Sequence, residues 1–324
     1  MDSTRAKENA RNLALLALGC VVLLFATATR SAADNGPHIM GAGATPDTCA
    51  LCHRVHTAQS PYLLKQAGEA LCYTCHGAAA AGASTDVKDG VGYANALRSG
   101  KPLPLRGGGF KYALIDSAHP SGQQSGGSDP GGLVPVTAEG AAITSAHSVD
   151  SSSQTAWGSG PVSTEVDYGK TISLSCGSCH DPHGNGNYRI LRPIPLESGA
   201  SGVYVPDATA KVYTTDNYWD VQDQYAPGFI EDISGWCATC HTRYLSDTSY
   251  TESGDAVFTD RHISDQKAQG SANCIQCHVA HGSNASVEEA SSMAVHSPNA
   301  VPAASDSRLL RVDDKGTCRM CHYE

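Results

Sequence analysis

Six times the chain reads Cys-x-x-Cys-His: Cys49, Cys52 and His53; Cys72, Cys75 and His76; Cys176, Cys179 and His180; Cys237, Cys240 and His241; Cys274, Cys277 and His278; Cys318, Cys321 and His322. Two thiols at this spacing lie on one side of a short helical turn. There they can form thioethers to two vinyl groups of a haem, while the next residue offers an imidazole to the iron. The pattern therefore implies six covalent c-type haems with His53, His76, His180, His241, His278 and His322 as proximal ligands. A zinc knuckle or a redox dithiol also uses Cys-x-x-Cys, but neither has a reason to place His directly after the second Cys six times. Twelve of the 13 cysteines belong to these motifs and Cys20 falls in an N-terminal apolar run, so none is left for a disulfide.

The chain has 14 His, and the eight outside the motifs are His38, His56, His119, His147, His183, His262, His281 and His296. They are enough to close the second face of every iron. Methionine is not: of four Met, Met1 opens the chain and Met320 sits inside the sixth motif, leaving Met40 and Met293. Bis-His coordination follows, with low reduction potentials because a Met ligand raises the potential relative to His. The irons are then six-coordinate and closed to substrate. The distal candidates are His38, His56, His147, His183, His262 and His281. His119 is the rival of His147, and His296 reads as a surface residue.

The first, third and fifth motifs continue as His-x-x-His, giving His53 and His56, His180 and His183, His278 and His281; the others do not. The chain is thus three doubled units, 34–100, 140–245 and 258–324, with long loops between them. Residues three apart project side by side on a helical turn, so the two His of a pair cannot clasp one haem. His56, His183 and His281 are expected on the iron of a different haem, which brings neighbouring haems nearly into contact. Further repetition supports the units. Leu63-Leu64 and Leu309-Leu310 each end eight residues before a Cys, Ile190-Leu191 follows the third motif, and His38 and His262 lie 11 and 12 residues upstream of Cys49 and Cys274.

Residues 1–33 read as a secretory signal: Arg5, Lys7 and Arg11 precede an apolar run from Leu13 to Ala28, and Ser31-Ala32-Ala33 offers a cleavage site. The run is about 16 residues, short of the roughly 20 that span a membrane. Cleavage would remove Arg5, Lys7, Arg11 and Arg30 against Asp2 and Glu8, taking the formal net charge from −10 to about −12. That balance argues against nucleic acid as a partner. Aromatic residues make up 6% of the chain and glycine fills 33 positions, too little bulk for one large side-chain core. The expected fold is a multihaem cytochrome c, mostly coil and turns with short helices at the motifs, a few short strands (203–205 and 212–213 being candidates) and the haem stack as core.

The order and spacing of His38, Cys49 to His56, Ser175 to Gly184, Trp236 to Thr242, Asn273 to Gly282 and Cys318 to His322 resemble the OmcS-type hexahaem cytochromes, which polymerise into extracellular nanowires. The resemblance covers the haem framework from end to end but not the long loops. It implies a continuous chain of bis-His haems and a head-to-tail polymer. In that polymer His56 ligates the haem held by Cys274, Cys277 and His278 of the next subunit. The function expected is electron conduction to external acceptors or other multihaem cytochromes, without substrate chemistry, in an exported protein at the cell surface or beyond. A monomeric periplasmic or outer-surface shuttle is the alternative. A multihaem reductase would need an open iron, and no Cys-x-x-Cys-Lys variant marks one.

Overall fold

A computed structural model describes residues 37–39, 44–77, 83, 85–92, 103–105, 107–113, 142–156, 158, 170–196, 229–244, 274–285, 307, 309 and 310. The 1–33 segment, the sixth motif, His119, His262, His296 and the strands expected at 203–205 and 212–213 lie outside these residues. Regular structure within them is short and sparse, as a Gly-rich chain without long apolar periodicity predicts.

Each of the five described motifs sits on helix: Pro46–Ala50, Gly68–His76, Cys176–Cys179, Phe229–Ala238 and Cys274–Cys277. The motif itself closes the turn. The His N–H donates to the carbonyl of the first Cys at 3.0 Å for His53, 3.0 Å for His180, 3.1 Å for His241 and 2.9 Å for His278. This i to i−4 bond keeps both thiols on one side and sends the imidazole off the end of the turn. The first helix starts on an N-cap, the Thr45 hydroxyl accepting from the Thr48 N–H at 3.3 Å, with Pro46 in the first turn.

Strands are two to four residues long and fall between the second and third motifs, with one after the fifth. β1 (Thr85–Asp86), β2 (Val91–Gly92) and β3 (Leu103–Pro104) form an antiparallel meander. β4 (Ser145–Ala146) pairs with β7 (Gly282–Ser283), and β5 (Ser153–Ala156) with β6 (Lys170–Ser173), Ser153 lying opposite Ser173. The sequence offered strand candidates only at 203–205 and 212–213 and none here, because strands this short carry no alternating pattern. Serine hydroxyls bind Ser307 to Leu310 onto the β4–β7 pair: Ser307 donates to the Ser283 carbonyl at 3.0 Å and Ser283 to the Leu310 carbonyl at 2.6 Å.

Buried apolar side chains form two small clusters, both directly under motif residues. Tyr188, Leu191 and Ile233 pack with Trp236, Cys237 and Ile275; Ala156, Ile172 and Leu174 pack with Cys240. The Trp236 Nε1–H donates to the Arg192 carbonyl at 2.8 Å, which ties the fourth motif to the loop after the third.

The repeated Leu and Ile residues have a structural meaning. Tyr62 and Leu63 have φ of 61° and 60°, Arg189 and Ile190 of 48° and 53°, and Leu309 of 57°. Pro61–Leu64 and Tyr188–Leu191 are thus left-handed turns of the type I′ kind, closed by Leu64 N–H to the Pro61 carbonyl at 3.4 Å and Leu191 N–H to the Tyr188 carbonyl at 3.0 Å. Each non-glycine residue in this region costs about 1–2 kcal/mol. In return the turn folds the chain back on the motif through antiparallel bridges His53 to Leu64, His180 to Leu191 and His278 to Leu310. The flanking bonds repeat: Arg54 N–H to the Leu63 carbonyl at 2.7 Å, Asp181 to Ile190 at 2.8 Å, and Val279 to Leu309 at 2.8 Å.

Candidate haem-binding site

The imidazoles face one another in pairs drawn from distant segments. The ring centres of His38 and His76 are 6.2 Å apart, those of His53 and His183 6.2 Å, and those of His147 and His241 6.1 Å. The ring planes meet at 22°, 5° and 63° respectively. Each pair joins a motif His to a His outside any motif. His281 neighbours His180: burial first, and the His180 charge next, push its pKa down to about 3. Burial also lowers His76, His147 and His180 below the ordinary His value. These rings are held neutral, the form that offers a lone pair to a metal.

Their tautomer follows from the backbone. The Nδ1–H groups of His38, His53, His147, His180 and His281 point at the carbonyls of Pro182, Tyr62, Ala280, Arg189 and Gly108, at 2.7, 2.8, 2.9, 2.9 and 3.2 Å. A carbonyl only accepts, so Nδ1 carries the proton and Nε2 is left bare. His183 differs, its Nδ1 lying 3.7 Å from the Asp181 carboxylate, which also pairs with Arg192.

An iron between two imidazoles, with each Fe–N bond about 2.0 Å and each ring centre about 1.1 Å behind its nitrogen, would hold the centres about 6.2 Å apart. The residues present fit a haem placed in each gap, with the vinyl-reactive thiols on the adjacent turn. Among the described residues no three of His, Cys, Asp and Glu converge on a single point as a direct metal-ion site would require.

The thiols give the order of the motifs in space. In the free-thiol chain Cys52 is raised by burial and then by Cys72 and Cys75, linking motif one to motif two. Cys72 and Cys176 share a hydrogen bond that lowers Cys72 to about 7, linking two to three. Burial raises Cys179 to about 11 with a further push from Cys240, and Cys237 bonds to Cys274, which carries the row through four to five.

The structure brings together His38, His53, His76, His147, His180, His183, His241 and His281. It leaves His56 apart. His56 is exposed and makes no hydrogen bond, ion pair or ring contact among the described residues. Within seven residues of it in sequence fall Leu51, Val55 at 74% exposure, Tyr62 at 86% and Leu63, four of the five large apolar side chains exposed among the described residues. His278 is exposed as well.

Sequence reasoning missed the cradle of His281. Gly107 lies so close to its ring that a Cβ there would sit 3.1 Å from Nδ1, and the Gly107 carbonyl accepts the His281 N–H at 2.7 Å. Gly108, at φ +73°, bridges to Gly282, and Phe110 stacks on the His281 ring at 4.5 Å. Three consecutive glycines before an aromatic residue were the available signal, since glycine marks close backbone approach.

The family model described as "Doubled CXXCH motif" matches residues 42–81, the first two motifs. No curated protein matches the chain. Among solved structures the chain is similar to the outer membrane cytochrome S filament from Geobacter sulfurreducens, at 16% identity over 72% of this chain and 81% of that chain, with a TM-score of 0.33. No helix among the described residues is long and apolar enough to cross a membrane. With facing imidazole pairs beside its motifs, and a doubled CXXCH model matching the first two of six, the protein is a multihaem c-type cytochrome.

Proposed function

We propose that the chain conducts electrons through six closely spaced bis-His haems, as the subunit of an extracellular filament. The observation that carries the first half is the set of cross-segment imidazole pairs at 6.1–6.2 Å. In this reading His53 shares an iron with His183, His76 with His38 and His241 with His147, supported by those facing rings, and His180 with His281, supported by their neighbouring charges. His147 is preferred over His119 because it is the one opposite His241. Haem iron held this way supplies one-electron transfer and no open coordination position. The residues turn imidazoles into each gap, fix the orientation of His38, His53, His147, His180 and His281 through Nδ1, and bring successive motifs together. That arrangement is what a conductor needs and what an enzyme acting on a substrate would not use.

Two motifs then need distal ligands, with His262 and His56 remaining. In this reading His262 serves His322, and His56 serves the haem at Cys274, Cys277 and His278 of a neighbouring copy. The exposed, unpartnered His56 and the exposed apolar residues near it in sequence, Leu51, Val55, Tyr62 and Leu63, support an intermolecular role. Such a contact is head-to-tail and does not close, the interface type that makes filaments. An uncleaved 1–33 segment would keep the protein at the membrane, so the reading includes signal removal and export.

Cryo-electron microscopy of the shear-released extracellular fraction tests this. Filaments with a continuous haem chain and His56 on a neighbour's iron are expected. His56→Met is expected to yield folded monomers that keep all their haems and no longer polymerise. Discrete particles from the unmodified protein would instead establish a soluble shuttle.

A further inference from the structure

The left-handed turns place a carbonyl behind two motif imidazoles, at 2.8 Å from Nδ1 of His53 and 2.9 Å from Nδ1 of His180. In both copies the carbonyl belongs to the first left-handed residue, Tyr62 or Arg189, nine positions after the His. The second left-handed residue, Leu63 or Ile190, accepts from the N–H that follows the His, and the next but one, Lys65 or Arg192, donates to the carbonyl of the second Cys, at 2.9 and 2.8 Å. The turn is therefore stitched to both sides of its motif. The backbone geometry is one that Asn-Gly adopts readily and that Tyr-Leu and Arg-Ile adopt only under steric strain. His76, whose motif lacks such a turn, makes no ring hydrogen bond among the described residues.

We propose that the left-handed turns Tyr62-Leu63 and Arg189-Ile190 are positioning elements: the Tyr62 and Arg189 carbonyls lock the imidazoles of His53 and His180 and lower the reduction potentials of the haems bound by the first and third motifs. An imidazole that donates its Nδ1 proton to a strong acceptor gains anionic character. It pushes more electron density onto the iron and so favours the oxidised state. The orientation is also fixed, because the ring cannot rotate about its Cβ–Cγ bond without losing the carbonyl. The proposal rests on the haem-ligation reading above, and it extends that reading from which residues bind to what sets their electron affinity.

Leu63→Pro forbids a positive φ and removes the turn; Tyr62→Asn with Leu63→Gly keeps the turn with residues that suit it. In a potentiometric titration of the holoprotein, Leu63→Pro is expected to move the component assigned to the first motif upward by about tenfold in its oxidation equilibrium, about 59 mV for one electron. The Asn-Gly variant is expected to leave every component in place. Ile190→Pro should act in the same way on the third motif. A haem-replete Leu63→Pro protein with all components unmoved overturns the proposal. Because a proline variant can fail to mature, proton NMR of the unmodified oxidised protein supplies a second test. Hyperfine-shifted Nδ1 protons of His53 and His180 that exchange slowly with solvent support the proposal, and rapid exchange at both overturns it. Failure of the ligation reading itself would look different, as a high-spin spectrum from the unmodified protein.

Discussion

The chemistry is set one imidazole at a time, and the relative angle of facing rings is its finest detail. With the His53 and His183 planes at 5°, both rings would donate into the same d orbital of an iron held between them, separating it in energy from its partner. At 63°, His147 and His241 would load the two orbitals more evenly. Two classes of low-spin electron paramagnetic resonance signal are therefore expected in the oxidised protein. The first motif should be rhombic and the fourth axial with a larger maximum g. His183→Ala should remove the first motif's share of the rhombic signal and give a high-spin one, leaving the near-parallel His38 and His76 pair and the axial class untouched. Burial serves these rings too. His281, held near 3, keeps its lone pair free where an exposed His of ordinary pKa, about 6.5, would be partly protonated in mild acid.

At the scale of elements, the fold is a set of short devices that each deliver one ligand or one thiol pair. The glycine run 107–109 and β7 form one such device. A Cβ at Gly108 would collide with the Gly282 carbonyl, and its φ of +73° disfavours any other residue. Gly108→Ala is expected to push the loop off β7 and misplace His281. The outcome to look for is loss of low-spin signal from the third motif and a fall in stability of about 1–3 kcal/mol, read from the visible spectrum and from thermal unfolding. Another device is the third motif's helical turn, where the buried Ser178 Oγ accepts the Ser175 N–H at 3.0 Å. Ser178→Ala leaves that donor unsatisfied and should cost about 1–3 kcal/mol, lowering Tm with the haem spectrum of the surviving folded protein unchanged. Only one of these two variants should therefore alter the iron's ligands, although both destabilise.

For the whole molecule, association must overcome like charge. The chain carries a formal net charge of −10, and two copies repel at long range. In the proposed filament, contact through the exposed Leu51, Val55, Tyr62 and Leu63 would be short-range and apolar, insensitive to screening. Raising ionic strength shortens the Debye length to about 8 Å at 0.15 M and should promote assembly, as sedimentation at graded salt would show. Assembly favoured by low salt would instead indicate complementary charged faces. Tyr62 and Leu63 have two tasks in this scheme. Their backbone forms the turn behind His53 while their side chains make the exposed patch, so replacing them by Asn-Gly should weaken polymerisation while sparing the haem potentials.

Composition and spacing alone pointed to c-type haem and suggested three doubled units and a pool of distal His, because thioether attachment and iron ligation require particular residue types at short fixed intervals. The repeated Leu63-Leu64, Ile190-Leu191 and Leu309-Leu310 pairs were legible as repetition, but nothing in their residue types announces a left-handed turn. The strands were not legible either, since a two-residue pairing such as Ala146 with Gly282 depends on what the chain meets 136 positions away. Which His faces which is decided by tertiary structure alone. His183 comes to face His53 across a gap of about 6 Å from 130 residues away, and nothing local to either residue names the other. Spacing along the chain encodes the turn that holds a thiol pair; only the folded backbone encodes the distance between two imidazoles.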